Sequence, residues 1–126
     1  MILTEKEFQS CLIYICDRLF KNKLKIIEAD VIVEDRIHIN AKVMYDFQPI
    51  DLSASFLMDY KHNRFCVYDI DAKVEYLMFK LNFMNLVQHA LKDYPVEFTQ
   101  DSIAYFIDMP IEKIKIGKQN IDIKVK

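Results

Sequence analysis

Ile37-His38-Ile39-Asn40-Ala41-Lys42-Val43-Met44-Tyr45-Asp46-Phe47 and Ile50-Asp51-Leu52-Ser53-Ala54-Ser55-Phe56-Leu57-Met58-Asp59-Tyr60-Lys61 alternate apolar and polar side chains almost without a break. A period of two puts Ile37, Ile39, Ala41, Val43, Tyr45 and Phe47 on one side of the first stretch. It puts Ile50, Leu52, Ala54, Phe56, Met58 and Tyr60 on one side of the second. Each stretch therefore reads as a long strand with one buried and one wet face. The pattern extends both ways. From Lys23 to Glu34, Ile27, Ala29, Val31 and Val33 share a face. From Phe65 to Tyr76, Cys66, Tyr68, Ile70, Ala72, Val74 and Tyr76 share one against Val67, Asp69, Asp71, Lys73 and Glu75. Glu34-Asp35-Arg36, Gln48-Pro49 and Lys61-His62-Asn63-Arg64 separate the runs, with Asn63 suited to a left-handed position. Turns this short predict an antiparallel meander.

Helical patterns flank it. Thr4 and Glu7 form a capping box, and Phe8, Cys11, Leu12, Ile15 and Leu19 follow at helical spacing. A first helix is expected from Glu5 to Phe20, with Asn22 as its exit. Ile13 and Tyr14 widen its apolar stripe, which predicts contact on more than one side. Leu77 to Lys92 reads as a second helix, apolar on more than one face and ended by Pro95. Alternation returns at Ile103, Tyr105, Ile107 and Met109, stops at Pro110, and resumes through Ile114 and Ile116. Gly117-Lys118-Gln119-Asn120 turns the chain into Ile121, Ile123 and Val125. The expected architecture is one α+β domain over residues 1–126. It has an N-terminal helix, a long four-stranded antiparallel meander, a second helix and two or three C-terminal strands, with the helices on one face of a curved sheet.

Composition excludes several functions. The single glycine, Gly117, rules out dinucleotide fingerprints, phosphate loops and nucleophile elbows, all of which need glycines for close backbone approach. The net charge of −2 and the lack of a basic tract interleaved with aromatics argue against nucleic-acid binding. Cys11, Cys16 and Cys66 have neither zinc nor redox spacing and read as buried free thiols in a reducing cytoplasm. Thr4-Glu5-Lys6-Glu7 interrupts the apolar start, so no signal peptide is expected and the location is expected to be cytoplasmic. No apolar run approaches the roughly 20 residues of a membrane span.

No catalytic signature stands out. His38, His62 and His89 fall on separate elements, so neither a metal site nor a cofactor is expected. Glu28, Asp30, Asp51, Asp59, Asp69, Asp71 and Glu75 are assigned to the wet sheet face, where nothing desolvates them for acid-base work. A small enzyme would need His38 or His89 to meet a carboxylate in a concave site. Lys113, Lys115, Lys118, Lys124 and Lys126 against Glu112 and Asp122 admit two readings: attraction to anionic headgroups, or lysines that block an open sheet edge.

The apolar excess carries the functional reading. Phe56, Met58, Tyr68, Ile70, Phe79, Phe83, Met84 and Val87 are expected to line a groove between the second helix and the sheet, each contributing roughly 1–2 kcal/mol by desolvating a hydrophobic ligand. The alternative is an assembly protein whose apolar surface is covered by a second copy or another protein. The strands Leu24–Glu34, Ile37–Phe47, Ile50–Lys61 and Phe65–Tyr76, with the closing runs Ser102–Pro110 and Ile114–Ile123, resemble the tubular lipid-binding superfamily in order and periodicity. The resemblance implies a curved sheet wrapped around a helix, with a groove for an acyl chain. A cystatin-like arrangement is the second fold that suits the order, although a helix between the fourth and fifth strands fits it less well.

Overall fold

The computed structural model describes residues 1–20, 24–45, 47–76 and 79–126, with the backbone alone at 76 and 79–81. Asn22, Lys23, Asp46, Leu77 and Met78 lie outside the described residues. The elements run β1 (Ile2–Thr4), α1 (Glu5–Phe20), β2 (Leu24–Val33), β3 (Ile37–Tyr45), β4 (Gln48–Lys61), β5 (Arg64–Tyr76), β6 (Phe79–Leu81), α2 (Phe83–Ala90), β7 (Val96–Phe98), β8 (Ile103–Phe106), β9 (Ile111–Ile116) and β10 (Asn120–Val125). The fold is α+β, with an N-terminal helix and a strand meander. A seven-stranded antiparallel sheet has the order β2-β3-β4-β5-β8-β7, with β6 also paired to β5; a three-stranded sheet has the order β1-β10-β9.

The alternating runs build the main sheet as expected at its centre. β3 and β4 pair in continuous register from Ile37↔Phe56 to Tyr45↔Gln48. Ile37, Ile39, Ala41 and Val43 are buried on the same face as Ile50, Ala54, Phe56, Met58 and Tyr60. Gln48 and Pro49 belong to β4 rather than separating it from β3, and Phe47 takes the left-handed turn position (φ 64°). That conformation turns Phe47 out of the strand, and its ring is 86% exposed instead of joining the apolar face.

Two bulges correct the simple reading of the flanking strands. In β2 the register shifts between Ile26 and Glu28, so Ile27 is left over and exposed, and Ile26 instead shares the inner face with Ala29, Val31 and Val33. In β5 the register shifts opposite Phe56, and Asp69 adopts φ 52°. An extra residue reverses the side-chain alternation beyond it. Ile70 and Val74 therefore face the core as expected, but Phe65 and Val67 take the inward places expected for Cys66 and Tyr68. Arg36, in the β2–β3 turn, donates to Asp69 Oδ2 at 2.9 Å and to the Asp69 carbonyl, which pins the bulge. The Ile70 N–H, left without a strand partner there, donates to the Asp101 carbonyl at 2.9 Å.

Helix capping follows local chemistry. The Thr4 and Glu7 side chains exchange hydrogen bonds with each other's backbone N–H groups at 3.2 and 3.0 Å, the expected capping box. The expected second helix is much shorter. Asn82 accepts from the Asn85 N–H at 3.0 Å and starts α2 there, while Phe79–Leu81 pairs with β5 as a short strand. On α1, Phe8, Leu12 and Cys16 form the covered stripe, whereas Cys11, Tyr14 and Ile15 face outward. Contact on a second side of α1 is therefore not seen among the described residues.

The small sheet closes one end of the apolar face. Ile114 of β9 and Ile121 of β10 join Val33, Ile37, Phe56 and Met58 in one core cluster, and Val33, Ile37 and Ile121 are its fully buried members. β2 is an outer strand, with open backbone groups. At Val33 these are satisfied: its N–H donates to Glu5 Oε2 at 2.7 Å and its carbonyl accepts from the Gln119 N–H at 2.8 Å. Tyr60 performs a similar service for the connector after β8. Its hydroxyl donates to the Ile107 carbonyl and accepts from the Met109 N–H, both at 2.8 Å. Tyr60→Phe orphans both backbone groups and is expected to cost about 1–3 kcal/mol in urea unfolding. A change below about 0.5 kcal/mol would show that water replaces the hydroxyl at no cost.

Candidate functional site

At the other end of the apolar face, the helices and the sheet leave a hollow of about 190 Å³. Its floor is Ile39, Ala41 and Val43 of β3 and Ile50, Leu52, Ala54 and Phe56 of β4. Leu24 and Ile26 of β2 and Val67, Ile70 and Val74 of β5 extend it to both sides. Leu12, Cys16 and Phe20 of α1 and Phe83, Leu86, Val87 and Ala90 of α2 form the roof. Two features open the space. Ala41 and Ala54 put small side chains in the middle of the floor, and neither helix contributes a fully buried residue. The helices thus cover the sheet without filling the gap beneath them.

The lining has little polarity to offer. Apart from the Cys16 thiol and the Tyr45 hydroxyl, its side chains are hydrocarbon. Burial, with the neighbouring Asp17 charge adding to it, pushes the Cys16 thiol up to about 11 from an ordinary 9.0. A thiol held neutral is a poor nucleophile. Cys11, exposed on the outside of α1, is expected to react with a maleimide at pH 8 well before Cys16, whose labelling should climb only as pH approaches 11. Equal rates at pH 8 would contradict the burial. Since the folded value lies above the unfolded one, the stability owed to the neutral thiol is intact below pH 9 and lost as pH rises toward 11.

The structure brings Phe56, Ile70, Phe83 and Val87 together around this hollow. Met58 is buried in the core beside it rather than in its wall, and half-buried Met84 lies outside the wall. Tyr68 stands on the opposite sheet face, 40% exposed, because of the bulge at Asp69. The side chain of Phe79 lies outside the described residues. The contribution of α1 was missed in the sequence. Its signal is the i, i+4 series Leu12, Cys16, Phe20, and the signal for the floor is alanine at two inward positions among larger residues.

Other groupings offer less. Glu28, Asp30, Lys42, Asp51, Lys73 and Glu75 line an open hollow of about 290 Å³ on the wet face, where Lys42 lies opposite both Glu28 and Asp51. Ligand atoms of Glu34, Asp35 and His38 lie within 4.8 Å of one another at the β2–β3 turn, but the two acids are exposed. Among the described residues no helix is long and apolar enough to cross a membrane. No protein-family model, curated protein or solved structure matches the chain.

Proposed function

We propose that the chain is a non-enzymatic binding module whose hollow takes a slender apolar molecule, such as a single aliphatic chain. The observation that carries this reading is a hydrocarbon-lined space between the two helices and the sheet, at one end of the apolar face. The hollow is partly open, so its apolar wall is wetted when empty, and an apolar occupant would remove that wall from water at roughly 25 cal/mol per Å². The size bounds the ligand. The hollow exceeds an engineered cavity of about 150 Å³ that holds benzene, but it falls short of the roughly 300–1,000 Å³ of drug-sized sites. The likeness to the tubular lipid-binding superfamily points to the same ligand class. With no charged side chain in its wall, the hollow selects for apolar shape and leaves any polar end outside.

Organic extraction of the purified protein, paired with native mass spectrometry, tests this. A monomer with a discrete adduct, extractable as an aliphatic compound, is the expected result. An adduct-free dimer that survives dilution would instead identify the apolar surface as an interface between copies.

A further inference from the structure

We propose that the outer face of the three-stranded sheet docks on an anionic lipid surface. Residues 111–126 carry five lysines against Glu112 and Asp122, a net charge of +3. The whole chain stands at −2, so the other 110 residues stand at −5. This separation becomes a surface in the fold. Lys113 and Lys115 of β9 and Lys124 of β10 project from the side of the sheet opposite buried Ile114 and Ile121. Lys118, in the β9–β10 turn, and Lys126 are exposed at its rim.

Edge protection accounts for only part of this pattern. β9 is an outer strand, so Lys113 and Lys115 guard its open side. β10 is the middle strand, but β1 pairs only with Asn120–Asp122, so Lys124 also lies along an open stretch; Lys118, in the turn, has no strand edge to guard. Lys124 also stands directly opposite Lys113, an arrangement unfavourable in isolation. The acids on this face offset it incompletely: Glu112 lies 3.9 Å from Lys124, and Asp122 is opposite Lys115. An anionic partner supplies the missing counter-charge.

The chemistry of the face favours lipid over nucleic acid. Its cations are lysines, point charges on long flexible stems, and residues 111–126 contain no arginine or aromatic residue for base recognition or stacking. Ile2 of β1 lies in the same cross-strand row as Asp122 and Lys115 and is 60% exposed. An apolar side chain amid lysines suits the boundary between headgroups and acyl chains.

Sedimentation with phosphatidylcholine vesicles, with and without about one-third phosphatidylglycerol, tests the proposal. Binding is expected only to the anionic vesicles and should weaken steeply between about 0.05 and 0.5 M salt. Each lysine near the surface is worth about fivefold in affinity, so Lys113→Gln, Lys115→Gln and Lys124→Gln together should cost about a hundredfold. Lys42→Gln with Lys73→Gln, on the wet face of the main sheet, should change little. The proposal is overturned if anionic vesicles are not bound, if the triple variant binds them undiminished, or if the protein prefers a duplex DNA to the vesicles. None of these outcomes depends on what fills the hollow.

Discussion

Ala54→Leu is expected to raise the unfolding free energy by about 2 kcal/mol, at about 0.8 kcal/mol per added carbon, and to remove apolar ligand binding. Ala54 is buried on β4 and points its methyl group into the hollow. Three more carbons there would occupy empty volume and gain contacts from Ile39, Ala41 and the helix roof. The sign decides the matter. In a filled core the same change forces side chains off their rotamers and costs about 1–3 kcal/mol. Urea denaturation measures the difference, and destabilisation would mean that the space is not there to be filled.

Ile121→Ala is expected to cost about 3 kcal/mol, and to do so without changing the slope of unfolding with urea. Ile121 is completely buried and stands on the middle strand of the small sheet, opposite Leu3 and Ile116. It is packed in one cluster with Val33 and Ile37, while the nearby Gln119 N–H ties the small sheet to the edge of the main one. Its loss leaves a void at the junction of the two sheets. The neighbouring Asp122 faces outward, and Asp122→Asn should stay within about 0.5 kcal/mol. Equal effects at the two positions would show that the small sheet is not docked through Ile121.

These two sites also show what could be read in the chain. The buried face of β4 was legible because Ile50 to Tyr60 alternate with a single break at Leu57, and that of β3 because Ile37 to Val43 keeps the same parity. A groove between the second helix and the sheet was legible from the apolar residues of both, but the share of α1 in its roof was not, since that depends on how the helix is set over the floor. Ala41 and Ala54 were placed on the correct face, but an alanine among larger residues does not by itself announce a space. Tyr68 was misplaced because Asp69 inserts one residue, and a bulge leaves no mark on periodicity when apolar residues occupy both parities, as Cys66, Val67 and Tyr68 do. Leu77 to Lys92 looked helical throughout because Phe79-Lys80-Leu81 is too short for its period to be distinguished; pairing with β5 decided it. The lysines were ambiguous for a similar reason. Only the strand pairing shows which of them lie along open strand and which, like Lys118, lie in a turn.

The most direct test of the central claim is titration of the protein with n-alkanols of increasing chain length, read by isothermal calorimetry. Affinity should rise about fourfold per methylene and then level off once the chain fills the hollow. In Ala54→Leu the rise should disappear. An affinity independent of chain length, or one that rises equally in the variant, would contradict a binding site between the helices and the sheet.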